Sequence, residues 1–326
     1  MTTMMNKQFE LVIVGHLTID IIKFGEQERR ELGGPPAYAM VGPALGLKKI
    51  GIVSRVGKEF PQEYYNLLAT SGLNLDGLMQ NGETTQFTNI YSEDGERTQR
   101  VDAVAGGLTC NDIPATYWDT EWMHISPVIG EIESSIITEA KKRDVKVSVD
   151  VQGFVRARQA QDTQIFGCKW KDFSVHATMI DILKADIQEL CQLAQKSNFQ
   201  AAAEAVHQMG VPLILITRGY KGAFLSHNET LLKIPAIPPQ SIVDHTGSGD
   251  VFAISFLVEY LRTHRPLWSA FFAAAGASFN IETPGPSRFP KFDKVMERLR
   301  NFLALSKNHH YTDLLLSEQG PFDCPL

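Results

Sequence analysis

Asp244-His245-Thr246-Gly247-Ser248-Gly249-Asp250, continued by the apolar run Val251 to Leu261, is a glycine-bearing turn that feeds directly into a helix. Gly247 and Gly249 permit the tight or positive-φ backbone that such an entry needs. The first turn of the helix leaves N–H groups unpaired and partly positive, a ready seat for phosphate oxygens. Gly247, Ser248 and Gly249 therefore predict an anion hole. Asp250 stands at its mouth, where a carboxylate can take the proton of an attacking hydroxyl. Asp244 or Asp250 also reads as an ordinary helix cap with the glycines making a turn, so the rest of the chain has to decide.

The chain has 326 residues and 44% apolar content, enough for one large α/β domain and a small appendage. Short β-branched runs alternate with longer helical patterns, the texture of a parallel βαβ sheet. Strands are predicted at Glu10 to Val14, Lys49 to Val53, Trp122 to Ser126, Val145 to Val149, Ile180 to Leu183 and Leu213 to Thr217. Helices are predicted at Pro36 to Leu45, Pro61 to Ser71, Ile132 to Lys142, Ile187 to Gln195, Ala201 to Met209, Ser248 to Arg262, Leu267 to Asn280 and Phe292 to Leu303. Late strands at Ala223 to Ser226 and Leu231 to Ile234 flank the turn-like His227-Asn228. Thr85 to Tyr91 and Arg97 to Ala103 break the rhythm: they flank Asp94-Gly95, a hairpin signal. With Ile19 to Phe24 and Arg30 to Leu32 they predict a small sheet outside the main domain.

A net charge of −6 argues against nucleic acid or an anionic membrane as the main partner. Cys110, Cys168, Cys191 and Cys324 are widely spaced, with no CxxC pair, so neither a zinc site nor a disulfide framework is indicated. Reduced cysteines, no signal-peptide pattern in Met1 to Phe9 and no membrane-length apolar run lead us to expect a cytoplasmic protein.

Polar residues cluster where the strands end. Val14-Gly15-His16-Leu17-Thr18-Ile19-Asp20 runs from a strand to an acid suited to accept hydrogen bonds from two neighbouring hydroxyls. Gly33-Gly34 precedes Pro35-Pro36. Val149-Asp150-Val151-Gln152-Gly153-Phe154-Val155-Arg156 places Asp150 and Gln152 at a strand terminus, the usual ligand position of open α/β sheets. Asp186 and Glu189 share one face at a helix start, where they can order the waters of a Mg²⁺ ion or simply cap the helix. Thr217-Arg218-Gly219-Tyr220-Lys221-Gly222 follows a buried strand; its glycines allow close approach of a phosphate or ribose, and Arg218 or Lys221 can screen phosphate charge.

In this order the segments resemble the landmarks of the ribokinase (PfkB) family of small-molecule kinases, from Glu10 to Leu303. The resemblance implies a ribokinase-like three-layer fold with a central, mostly parallel sheet. The kinase domain would span residues 1–303, with a discontinuous β lid from about 17–33 and 84–105 and a tail, 304–326, of unassigned role. It implies ATP and Mg²⁺, with Thr217, Gly219, Gly222 and Thr246 on the nucleotide, Asp20, Gly33, Gly34, Asp150 and Gln152 on the acceptor, Glu189 and Asp186 reaching the metal through water, and Asp250 as the base. It also implies a monovalent-cation loop at Thr283-Pro284-Gly285-Pro286 and a homodimer through the lid. Tyr38 stands where many relatives carry Asn, and Ala274 where many carry Asn on the nucleotide side. The Val-Asp-x-Gln segment and Val53-Ser54-Arg55-Val56-Gly57 are similar to the plant inositol kinases, which points to a cyclitol acceptor, myo-inositol first. Tyr38 and Phe87 suit a nucleobase instead, so a nucleoside or other sugar kinase stays open, as does a nucleotide-binding regulator without catalysis. A dinucleotide-dependent dehydrogenase is disfavoured, since no GxGxxG follows the first strand.

Overall fold

The computed structural model describes residues 7–91, 97–158, 163–227, 230–305 and 309–317. Chain order is β1 (Phe9–Val14), β2 (Thr18–Phe24), β3 (Gln27–Gly33), α1 (Pro35–Tyr38), α2 (Val41–Ala44), β4 (Ile50–Val56), α3 (Gln62–Thr70), β5 (Asn74–Gln80), β6 (Thr85–Tyr91), β7 (Arg97–Ala103) and β8 (Thr120–Ile125). Then come α4 (Ser135–Lys142), β9 (Lys146–Asp150), β10 (Arg156–Arg158), β11 (Ile165–Gly167), α5 (Phe173–His176), β12 (Ile182–Asp186), α6 (Ile187–Ala194), α7 (Phe199–Gln208) and β13 (Leu213–Thr217). The chain closes with β14 (Ala223–His227), β15 (Thr230–Ile234), α8 (Ser248–Thr263), α9 (Pro266–Asn280), α10 (Phe292–Ala304) and α11 (His309–Ser317).

Among the described residues nine strands make the main sheet, in the order β15-β14-β13-β12-β9-β8-β1-β4-β5. Every neighbouring pair from β13 to β5 is parallel; β14 and β15 return antiparallel at one edge. Side chains alternate across a strand, and here both faces are apolar. Leu11 and Ile13 of β1 enter a core shared with α8, α9 and α10, whereas Val12 and Val14 enter the opposite core against α4, α6 and α7. That split produces the expected three layers.

A second sheet, β3-β2-β6-β7, stands apart, its central β2 and β6 parallel to each other. The expected hairpin strands match β6 and β7; Asp94-Gly95 and Asn228 lie outside the described residues. Two expectations need correcting. The single helix Pro36 to Leu45 is two short turns, because Pro43 has no N–H to offer the carbonyl of Ala39 and crowds it. The helix expected from Ile132 starts at Ser135, since Ile132 bridges to Leu108 instead. The tail folds back in part: Tyr311 on α11 meets the ring of Phe271 edge-on at 5.3 Å, and Arg265 donates to the carbonyl of Leu315 at 2.6 Å. No helix among the described residues is long and apolar enough to cross a membrane.

Candidate active site

The carboxyl ends of β9, β12 and β13 and the amino end of α8 converge on a cleft of about 760 Å³, roofed by side chains of the second sheet. Asp20, Gly34, Gln152, Asp186, Glu189, Thr217, Gly219, Gly222, Thr246, Gly247, Ser248, Gly249 and Asp250 all line it. Gly33 and Asp150 do not. Asp20 and Asp250, 230 positions apart in the chain, therefore share one cavity, the arrangement expected at strand ends of an open α/β sheet.

Gly247 caps α8 in the left-handed region at φ 72°, and a β-carbon there would lie 1.8 Å from the ring of Tyr38. Only glycine fits over that ring. We expect Gly247→Ala to cost about 1–3 kcal/mol in backbone strain alone and to displace Tyr38. The melting temperature and kcat should fall together; unchanged values would show that the loop does not rest on Tyr38. The Tyr38 ring is buried and its hydroxyl has no hydrogen-bond partner among the described residues. Burial, then Asp20, Asp250, Asp244 and Glu31, hold that phenol well above its ordinary range, so it stays a neutral donor facing the cleft.

Asp250 opens into the cleft, and among the described residues no protein group donates a hydrogen bond to its carboxylate. Burial pushes its pKa up to about 7; Lys184 pulls it down, but Asp150, Asp20 and Glu189 push with the burial. A carboxyl poised near neutrality is suited to exchange a proton with a ligand hydroxyl.

Lys184 is the residue that the sequence reading missed. Its ammonium lies buried, donates to Asp150 at 2.8 Å, lines the cleft and would stand 3.3 Å from a β-carbon on Gly249. Burial opposes its charge, but Asp150, Glu189 and Asp250 outweigh that and hold it protonated above the ordinary lysine range. Nothing in Leu183-Lys184-Ala185 marks it as a ligand, and the strand expected at Ile180 to Leu183 stops short of it; β12 runs Ile182–Asp186 and places the lysine inside a buried strand. Asp150, expected on the acceptor, is fully buried behind the wall: one oxygen takes Lys184, the other the N–H of Gln152 at 3.1 Å.

Asp20 lies within β2 rather than past a strand end, and accepts from the Thr18 hydroxyl at 2.8 Å. Gly33 makes room for it, since a β-carbon there would stand 2.5 Å from Asp20 Oδ2. Asp186 and Glu189 form a reciprocal capping box at the start of α6, each carboxylate accepting the other residue's N–H, at 2.7 and 2.8 Å. The capping reading is thus present, and both residues still face the cleft. Burial raises the Glu189 carboxyl, against the pull of Lys184, and Arg156 pairs with it at 3.3 Å. Arg218 and Lys221 do not line the cleft: Arg218 stacks over Phe224 at 4.5 Å, and Lys221 lies over Tyr220. Arg55 pairs with Asp112 at 2.7 Å and is likewise absent from the lining.

The pfkB family carbohydrate kinase model matches residues 8–291. The chain is 31% identical to a cytidine kinase of Thermococcus kodakarensis, over 79% of this chain and 90% of that protein. It is 33% identical to a ribokinase of Arabidopsis thaliana, over 84% of this chain and 76% of that one. Among solved structures, a pyrophosphate-dependent kinase of the ribokinase family, complexed with a pyrophosphate analog and myo-inositol, superposes with TM-score 0.73 at 21% identity, over 88% of this chain and 99% of that one. The chain belongs to the pfkB family of carbohydrate kinases, as a sugar or nucleoside kinase of ribokinase-like fold that transfers phosphate to an alcohol.

Proposed function

We propose that the acceptor is a nucleoside and the donor ATP. The observation that carries this reading is the wall of the acceptor end, where Asp20 shares the space with the rings of Phe87 and Tyr38, the apolar Val128 and the side-chain amides of Gln99 and Gln152. A nucleobase offers a flat apolar face and an edge for amides, while its ribose offers a diol to Asp20. A polyol would leave Phe87 and Val128 without a use. The relative named a cytidine kinase supports a pyrimidine base. The myo-inositol reading is supported by the polar groups of Asp20, Gln152 and Arg156, which line the same cleft, and by the Val-Asp-x-Gln segment.

The donor end is bounded by Tyr220, Ile237, Pro238, Ile242, Ala274 and Ala277. That apolar length suits an adenine ring and has no function for bare pyrophosphate. In the proposed reaction Asp250 accepts the acceptor's hydroxyl proton as that oxygen bonds to the γ-phosphorus and the bond to the bridging oxygen breaks, releasing ADP. N–H groups of the Gly247 to Asp250 turn and the Lys184 ammonium face the charge gathering on the transferred group.

Magnesium fits the remaining residues. Asp186 and Glu189 both line the cleft, where they would reach, through water, an ion held mainly by donor phosphates. When bound it neutralises phosphate charge. The second sheet, which brings Asp20, Phe87 and Gln99, serves as the lid. Its β3 edge has no strand beside it among the described residues, which supports the expected contact between two copies.

ADP release measured with cytidine, uridine, inosine, ribose, fructose and myo-inositol tests the acceptor. We expect the highest kcat/KM with a pyrimidine nucleoside; turnover of myo-inositol with none of the nucleosides would overturn the proposal in favour of the cyclitol.

A further inference from the structure

The loop Thr283-Pro284-Gly285-Pro286 resembles a monovalent-cation loop, but the oxygens around it are largely committed. Asp244 is buried; its Oδ1 accepts the N–H of Thr246 at 2.8 Å and its Oδ2 accepts Arg29 Nη2 at 2.9 Å. The carbonyl of Thr246 accepts Asn280 Nδ2 at 2.8 Å. The carbonyl of Ile281 accepts the N–H groups of Val243 and Asp244, at 2.8 and 3.1 Å. Thr246 Oγ1, Asn280 Oδ1 and Thr283 Oγ1 are buried without a partner among the described residues. These three are neutral oxygens that a water satisfies as well as a cation. The deciding quantity is charge: Asp244 and Glu31, the two carboxylates beside the loop, already share the Arg29 guanidinium, Glu31 is raised to about 7 by burial, against Arg29 and with Asp244, and a second cation there would face Arg29.

Arg29 does not belong to this loop. It is carried by β3 in the second sheet, where its Nε also pairs with Glu31 at 2.7 Å. Its guanidinium thus crosses from the acceptor roof to the segment that leads into Gly247, with both contacts inside hydrogen-bonding range.

We propose that Arg29 supplies in cis the positive charge for which a cation loop would otherwise recruit an ion, so that turnover needs no monovalent cation and docking of the second sheet sets the shape of the anion hole. The proposal rests on the reading of Gly247 to Asp250 as the phosphate seat. Arg29 touches no reacting atom in this scheme; it is a positioning residue acting through Asp244.

The test compares potassium, sodium and tetramethylammonium chloride at equal ionic strength. Wild-type kcat/KM and melting temperature should be the same in all three. Arg29→Ala should lose activity in tetramethylammonium by up to roughly 10²-fold, the cost of an anion hole displaced by about an ångström. Potassium should restore much of that activity and raise the variant's melting temperature, whereas tetramethylammonium should do neither. Arg29→Lys, which keeps the charge but not the two-pronged contact, should stay independent of the salt and lose less activity than Arg29→Ala. Activation of the wild type by potassium would overturn the proposal, as would equal recovery of Arg29→Ala in every salt, which would be screening alone. The melting measurement needs no acceptor, so it decides about Arg29 even where the kinase assay finds no substrate.

Discussion

Asp250→Asn should bind ATP as the wild type does and lose most of its turnover, by about 10² to 10⁴, the usual worth of a general base. The substitution keeps shape and removes the proton acceptor. It also removes a negative charge that Lys184 favours but Asp150, Asp20 and Glu189 oppose, so the variant should be about as stable as the parent. A loss of activity without a loss of stability separates a chemical role from a packing one. The pH profile carries the second half of the prediction. The Asp250 carboxyl is raised to about 7 by burial, Lys184 opposing and the neighbouring carboxylates adding to it. The base is competent only when deprotonated, so wild-type kcat/KM should fall as pH drops through about 7, and that acid limb should vanish in the residual activity of Asp250→Asn. A variant with near wild-type kcat, or an unchanged acid limb, would remove Asp250 from the chemistry.

Lys184→Met should be the most destabilising of the site variants. Asp150 would be left charged and fully buried with the Gln152 N–H as its remaining hydrogen bond, and breaking one side of a buried pair costs roughly 3–5 kcal/mol. Pairing it with Asp150→Asn removes the stranded charge, and Asn Oδ1 still accepts from Gln152. The double variant should therefore recover most of its resistance to urea. It should not recover turnover, because the ammonium beside Gly249 is still missing. A double variant that regained both would make Lys184 a packing residue only. Urea midpoints and kcat measured on the two variants separate the outcomes.

The meeting of Gly247, Gly249 and Asp250 at the cleft was legible because it is local: they lie within four consecutive positions, and the helix they open is written in the residues that follow. The parallel sheet was legible for a similar reason, apolar runs such as Leu213 to Thr217 being short, β-branched and bounded. Strand β5 escaped because Asn74 to Gln80 has no clean alternation and carries Asp76-Gly77, which reads as a turn. Gly77 is there for room: a β-carbon would stand 2.4 Å from the carbonyl of Ile52. The role of Asp150 was misread for a reason that no window of sequence contains. Its partner comes from β12, paired in register beside β9 but 34 residues away. Arg29 and Asp244 are farther apart still, and nothing about either residue alone announces the contact.

Lys184 and Asp150 face one another across the ladder of two central strands, rung against rung, while Asp20, Phe87 and Gln99 are mounted on a separate four-stranded piece. In the proposed scheme the charges that face the phosphate are thus fixed by the main sheet, while part of the acceptor wall is carried by a second one. A change of acceptor would have to keep Arg29 seated on Asp244, because the small sheet that carries Asp20, Phe87 and Gln99 also carries the side chain tied to the segment that leads into Gly247.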